Sequence, residues 1–158
     1  MISEAPVDFV DMVECMRLEA CDFVIVGAHA LAAHGSPRAT GDLDVFVRPD
    51  PDNALRVFRA LARFGLPVSA HGIRPADFAT PGMVYQIGLP PHRIDILTQI
   101  SGVSFDEAIA AAVRGRLGAE EVRCIGFDAL LANKRAAGRP KDLGDVAVLE
   151  ELASRGRR

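Results

Sequence analysis

The chain has 158 residues, of which 49% are hydrophobic and 25% charged, and its formal net charge is −3. This length and composition predict one ordinary globular domain and argue against an intrinsically disordered protein. The small negative charge does not indicate a strongly basic nucleic-acid-binding protein.

The cysteines and the apolar runs bear on the cellular compartment. Cys15, Cys21 and Cys124 are odd in number and include no Cys-x-x-Cys spacing, which argues against a disulfide framework and a zinc ribbon. The first residues do not resemble a signal peptide, and no apolar stretch approaches the ~20 residues that span a bilayer. We therefore expect a cytoplasmic protein with reduced thiols and no membrane partner.

Hydrophobic periodicity, glycines and prolines predict an interleaved series of helices and strands. In chain order these are helix 6–19, strand 22–27, helix 28–34, strand 42–47, helix 49–64, strands 83–89 and 93–99, helix 104–113, strand 121–125, and helices 127–137 and 140–153. Residues 36–41 and 66–82 are predicted loops. The interleaving indicates an α/β (α+β) domain whose helical C-terminal part packs against the sheet as a small lobe.

Two aspartates in the second strand are the first candidates for chemistry. Asp42 and Asp44 are two residues apart, so both side chains project from one face of the strand, with Cα atoms ~6.5 Å apart. Two ionised carboxylates this close repel each other and require a cation, and Mg²⁺ (or Mn²⁺) suits their oxygens. An isolated Asp-x-Asp is more often a solvated strand edge, so the pair needs support from elsewhere.

Asp95 and the Gly27-Ala28 junction supply that support. Asp95 lies between isoleucines in an apolar strand; alone it is a partner of Arg93 or an edge charge, but with the pair it provides a third carboxylate. Gly27 and Ala28 join a strand to a helix, where free backbone N–H groups favour anions and small residues admit a phosphate. The ordinary alternative for the glycine is a tight turn.

These residues resemble the pattern of the DNA polymerase β-type nucleotidyltransferase superfamily. Val26-Gly27-Ala28 is followed after thirteen residues by Asp42-Leu43-Asp44-Val45, and Asp95 matches the third carboxylate of that family. Ala28 departs from the pattern, which has glycine or serine there.

A second stretch is similar to a C-terminal motif of bacterial stand-alone nucleotidyltransferase-like proteins, including toxin-type enzymes of abortive-infection toxin–antitoxin systems. The matching residues are Lys134, Arg139, Asp142 and Asp145. The two resemblances together cover roughly residues 22–150. They imply a mixed sheet flanked by helices, with a catalytic core at about 20–118 and a helical lobe at about 120–155.

The resemblance also implies an activity, the transfer of a nucleoside monophosphate from an NTP to an acceptor with release of pyrophosphate. The implied catalytic residues are Asp42, Asp44, Asp95 and Lys134, and the three aspartates would hold the metal ions. Nucleotide contacts are expected from Gly27, Ala28, His29, Arg38, Thr40 and Lys134. Arg139 is expected to contact phosphate or to pair with Asp142 or Asp145.

The implied acceptors are tRNA, a partner protein or a small molecule, and a toxin–antitoxin partner is a further expectation. The alternative hypothesis is a catalytically weak binding or regulatory module of a toxin–antitoxin pair. Ala28 and the short chain motivate that alternative, whereas retention of all three carboxylates argues against it.

Overall fold

The computed structural model describes residues 5–36 and 41–156. Its six strands are β1 (Phe23–Val26), β2 (Leu43–Val47), β3 (Val84–Ile87), β4 (Ile94–Leu97), β5 (Val113–Leu117) and β6 (Glu120–Cys124). Its α-helices are α1 (Val7–Leu18), α2 (Ala28–Ala33), α3 (Pro51–Phe64), α4 (Phe105–Ile109), α5 (Phe127–Ala137) and α6 (Pro140–Gly156). A short 3₁₀ helix, Pro75–Ala79, interrupts the predicted loop.

All six strands join one mixed sheet in the order β3-β4-β2-β1-β6-β5. The central strand β2 is antiparallel to β1 and parallel to β4, while β6 runs parallel to β1. The outer strands β3 and β5 are antiparallel to their neighbours. This architecture, with helices packed around the sheet, confirms the predicted α/β fold class.

The central strands are buried because their sequences are apolar on both faces. Val45 and Phe46 in β2 are both buried, although they project to opposite faces of the sheet. Helix α3 contacts α1 and buries Ala54, Val57 and Leu61, which lie on one helical face. The acidic β2 strand is therefore fixed by apolar contacts on both faces, with its first residues at one edge of the core.

Asn53 connects helix α3 to the ends of the two central strands. This fully buried residue accepts a hydrogen bond from the Asp22 backbone N–H at 2.7 Å. Its side-chain nitrogen donates to the carbonyls of Asp22 and Arg48, each at 3.0 Å. Both the oxygen and the nitrogen of the Asn53 side chain thus have hydrogen-bond partners. These bonds hold the residue before β1 and the residue after β2 against helix α3.

The structure corrects the prediction of a helix over 104–113. Ser104 forms the predicted capping box with Glu107, but α4 ends at Ile109. Val113 instead begins β5, which forms a hairpin with β6 through Gly118, whose φ is +59°. Alanine-rich residues favour a helix locally, but pairing with β6 and burial of Leu117 outweigh that preference.

The C-terminal helices α5 and α6 pack against each other and share the core of the sheet. Leu130 and Leu149, one from each helix, are fully buried and belong to the same apolar cluster as the central strands. The helical part begins at Phe127, later than the expected boundary near residue 120, because Glu120–Cys124 forms a strand of the sheet.

The three cysteines are free thiols, and burial raises the pKa of Cys21 to about 12 and that of Cys124 to about 11. Both thiols therefore stay protonated and unreactive near neutral pH. Among residues 5–36 and 41–156, no helix is long and apolar enough to cross a membrane.

We predict that Asn53→Ala lowers the free energy of unfolding by about 2–3 kcal/mol, because buried backbone groups lose their partners. Asn53→Asp should be at least as damaging at neutral pH, since a carboxylate oxygen would face two carbonyl oxygens. Urea denaturation measures both effects. Asn133→Ala, which removes one hydrogen bond to the Ser101 carbonyl, is the control with a smaller expected loss. Equal losses at both asparagines would contradict this role for Asn53.

Candidate active site

The register of the sheet brings the predicted carboxylates together. Asp44 in β2 lies directly beside Asp95 in the parallel strand β4, and beside Val26 in the antiparallel strand β1. Residues in register on neighbouring strands project from the same face, and Asp42 shares that face because it lies two residues before Asp44. Three carboxylates from two strands therefore face one side of the sheet, as predicted.

Gly27 adjoins this carboxylate group because it directly follows Val26. A Cβ atom at Gly27 would lie 2.2 Å from Oδ2 of Asp44, and the φ of Gly27 is +71°. Any other residue here would collide with the carboxylate and adopt a strained backbone. The glycine thus provides the space that Asp44 occupies, which is a stronger requirement than the tight turn considered from sequence.

Asp44 is the most perturbed acid of the group. Burial, followed by the nearby charges of Asp95 and Asp42, raises its pKa from 3.8 to about 6. Arg93 and Lys134 act in the opposite direction but do not cancel the effect. Within the described residues Asp44 has no hydrogen bond or ion pair, so its charge is stabilised only at longer range. A bound cation would relieve this repulsion.

Arg93 bridges the other two carboxylates. Its Nε donates to Asp95 Oδ1 at 2.8 Å, and its Nη2 lies 3.2 Å from Asp95 Oδ2 and 3.3 Å from Asp42 Oδ2. Its backbone N–H also donates to Asp42 Oδ1 at 3.2 Å. Asp95 therefore has both of the roles considered from sequence. It belongs to the carboxylate group, and it also pairs with Arg93.

Lys134 enters the site from α5 as a buried cation. Its side chain is only 9% exposed, and its Nζ lies 3.1 Å from Asp145 and 3.4 Å from Asp142, both on α6. The ordinary alternative for this position, that Lys134 is an exposed and solvated side chain, is therefore wrong. The two aspartates hold the ammonium group near Asp44, whose pKa it lowers.

Arg139 has the structural partner that was expected for it. Its Nε lies 2.6 Å and its Nη2 3.2 Å from the two carboxylate oxygens of Asp142. Burial raises the pKa of Asp142, but the hydrogen bond and charge of Arg139, together with Lys134, outweigh burial and leave the pKa lowered. Asp142 is therefore charged at neutral pH and fixes both basic side chains.

Acidic neighbours dominate the electrostatics at Asp44 itself. The charges of Asp95 and Asp42 raise its pKa, and the opposing charges of Arg93 and Lys134 offset them only in part. Two further basic residues, Arg139 and Lys141, also line the cleft. The negative charge beside Asp44 favours a cation at this point rather than a free anion.

These residues border an open cleft of about 740 Å³, which is within the range of small-ligand sites. The lining includes Gly27, Ala28 and Asp44 together with the basic residues Lys134 and Arg139. It also includes apolar and uncharged polar side chains, namely Val84, Leu97, Gln99, Ile100, Ser101 and Asn133. The cleft thus combines charges of both signs with less polar side chains.

One predicted nucleotide contact, His29, has a side chain that packs away from the described lining of the cleft. His29 packs edge-on against Phe9 at 5.6 Å between ring centroids, and it is not among the described residues that line the cleft. Burial lowers its pKa, so its ring is neutral at physiological pH. Arg38 and Thr40 lie outside the described residues.

Sequence reasoning did not foresee the bridging position of Arg93. The pattern that could have revealed it is Arg93-Ile94-Asp95, in which residues two apart on a strand share a face. The contact of Arg93 with Asp42 depends instead on the pairing of β2 with β4. That pairing joins segments about fifty residues apart, and nothing local specifies it.

The donor set fits a hard divalent cation in its chemistry, since three carboxylates project from one face of the sheet. The side chains as they stand do not form a ready ligand group, because no three acids, histidines or cysteines among the described residues are arranged around one point. The contacts of Arg93 with Asp42 and Asp95 account for this arrangement.

The raised pKa of Asp44 predicts a pH-dependent stability in the absence of metal. The folded protein holds the proton of the Asp44 carboxyl more tightly than the unfolded chain does. The contribution of this proton to the free energy of unfolding is therefore complete below about pH 3.8 and is lost as the pH rises through about 6. Asp44→Asn removes the titration. The variant should gain about 2 kcal/mol in free energy of unfolding, relative to wild type, between about pH 4.5 and about pH 7.

Denaturation in EDTA at several pH values measures this difference. Asp11→Asn, an exposed substitution in α1, is the control and should show no comparable pH-dependent gain. A constant difference between Asp44→Asn and wild type across the range would contradict the raised pKa.

A comparison with known protein families gives a match over most of the chain. Residues 8–158 match the family described as "Nucleotidyl transferase of unknown function (DUF2204)". No curated protein matches the chain. Because the family match spans nearly the whole chain, the protein belongs to this nucleotidyl transferase family of unknown function.

Proposed function

We propose that this protein transfers a nucleoside monophosphate from an NTP to an acceptor, with Mg²⁺ or Mn²⁺ as the cofactor. The observation that carries the proposal is the register of Asp44 with Asp95, beside Asp42, at the glycine that closes β1. The family match supports the reaction class. The repulsion that Asp95 and Asp42 exert on Asp44 supports the need for a divalent cation.

In the proposed reaction, an acceptor oxygen attacks the α-phosphorus of the NTP and forms a new phosphorus–oxygen bond. The bond from that phosphorus to the oxygen that bridges to the β-phosphate breaks, and pyrophosphate leaves. The acceptor's proton passes to Asp95 or to solvent. Ions held by Asp42, Asp44 and Asp95 would stabilise negative charge on the attacking and leaving oxygens.

The remaining residues of the cleft would orient the nucleotide and balance its charge. Gly27 and Ala28 line the cleft without long side chains, which allows phosphate oxygens to approach their backbone. Lys134 would neutralise charge on the phosphates or on the leaving pyrophosphate. Because Asp142 and Asp145 already hold its ammonium group, little ordering is required when the substrate binds.

The acceptor classes proposed are tRNA, a partner protein or a small molecule. The C-terminal similarity to toxin-type enzymes further suggests that the protein acts with a toxin–antitoxin partner. Co-purification from the native host tests that suggestion, since a protein that comes out alone and turns over NTP does not need such a partner for activity.

The direct test uses labelled NTPs, Mg²⁺ and three acceptor pools: tRNA, host proteins and small hydroxyl compounds. We expect wild-type protein to label one pool and release pyrophosphate. Asp44→Asn should reduce the rate on the order of a thousandfold, because it removes a carboxylate from the ion-binding group. Asp11→Asn should retain the wild-type rate.

Absence of transfer to every pool, together with absence of Mg-NTP binding, would disprove nucleotidyl transfer. The alternative, a binding or regulatory module with the same fold, would then be favoured.

Gly27→Ala tests the close approach to Asp44 and has a matched control in Gly35→Ala. Both glycines have positive φ, +71° at Gly27 and +90° at Gly35, so each substitution costs at least about 1 kcal/mol of backbone strain. The strain is larger at Gly27, because its φ of 71° and ψ of −149° lie in a region that is almost restricted to glycine. Only the Cβ at Gly27 would collide with a neighbour, because nothing lies within 4 Å of that position at Gly35.

We expect Gly27→Ala to abolish transfer and Gly35→Ala to preserve it, although both variants lose stability. The label-transfer assay, combined with thermal denaturation, separates the two effects. Similar activity in the two variants would show that the space beside Asp44 is not required.

A further inference from the structure

The guanidinium of Arg93 lies where the carboxylates of two strands would otherwise repel each other. It contacts Asp95 at 2.8 Å and Asp42 at 3.3 Å, and its side chain is only 27% exposed. Asp42 and Asp95 are themselves 32% and 11% exposed. An arginine that joins two partly buried acids from different strands replaces the cation that such acids require.

The same contacts explain why the described acids do not surround a common point. Asp42 and Asp95 direct oxygens toward Arg93, while the side chain of Asp44, in register with Asp95, has no hydrogen bond or ion pair among the described residues. The pairing of the strands brings the three carboxylates close, but two of them form ion pairs with the Arg93 side chain. An ion that binds all three must compete with this side chain for oxygens.

We propose that Arg93 is the internal counter-ion of the metal-free site, and that a divalent ion binds to Asp42, Asp44 and Asp95 only as the Arg93 guanidinium leaves them. This inference rests on the proposed function, since it concerns the ion that the carboxylates would hold. Arg93 is thus a positioning residue, which keeps the acidic strands together until the ion replaces it.

Release of Arg93 has a second consequence for substrate binding. Its guanidinium already lines the cleft, so a displaced side chain stays close to a bound nucleotide. Phosphates would attract it away from the carboxylates, while the ion would fill the place it leaves. Binding of metal and binding of nucleotide therefore favour each other, and the coupling is reciprocal.

The experiment measures Mn²⁺ binding by electron paramagnetic resonance, without any acceptor or turnover. Arg93→Gln removes the internal cation but leaves the backbone N–H that donates to Asp42. We expect this variant to bind Mn²⁺ roughly fivefold to tenfold more tightly than wild type, because the ion no longer displaces an ion pair. Arg93→Lys should be intermediate, since an ammonium cannot reproduce the bidentate contact.

Arg48→Gln is the matched control. Arg48 also bridges two carboxylates, at 3.1 Å from Asp22 and 2.7 Å from Asp106, but it does not line the cleft. Its substitution should leave Mn²⁺ affinity unchanged. Thermal denaturation gives a second measurement, in which EDTA should destabilise Arg93→Gln more than wild type, and saturating Mn²⁺ should reverse the loss.

The outcomes separate this inference from the proposed function. If wild type binds Mn²⁺ and Arg93→Gln binds it equally or more weakly, the displacement is wrong while the metal site stands. If neither binds Mn²⁺, with or without NTP, the metal-dependent function fails and this inference fails with it. Tighter binding by Arg93→Gln, with no change in Arg48→Gln, supports displacement.

Discussion

Electrostatic repulsion between Asp42, Asp44 and Asp95 is the constraint on which the arrangement of the site depends. The sheet places these acids together through the pairing of β2 with β1 and β4, and apolar contacts on both faces prevent the strands from moving apart. The fold therefore stabilises a cluster that is unfavourable by itself. The charges of Arg93 and Lys134 reduce that cost.

Arg93 and Lys134, the two cations that act on Asp44, are held differently. Arg93 is 27% exposed and contacts Asp42 and Asp95. Lys134 is buried on α5 and held by two acids of α6. In the proposed function the two cations have different tasks, because Arg93 yields to an incoming ion while Lys134 keeps its position.

Local patterns were sufficient to predict most of the elements and the face of the sheet that carries the three carboxylates. Alternation in β2 put Asp42 and Asp44 on one side, and apolar neighbours marked Asp95 as unusual. The missed strand β5 shows where such reasoning ends, because alanines up to residue 112 favour a helix until long-range pairing with β6 is known. His29 shows the same limit, since its position in a motif does not reveal that its ring packs against Phe9.

The distribution of the site along the chain has a consequence during synthesis. Gly27, Asp42, Asp44 and Asp95 lie in or next to strands that are synthesised early. Strand β6, which pairs with β1, and Lys134 are synthesised later. A nascent chain on the ribosome therefore carries the repelling carboxylates before it has Lys134 and its anchoring aspartates. Arg93 is translated between Asp42 and Asp95, so from the first moment the acidic strands can pair they have a neutralising partner of their own.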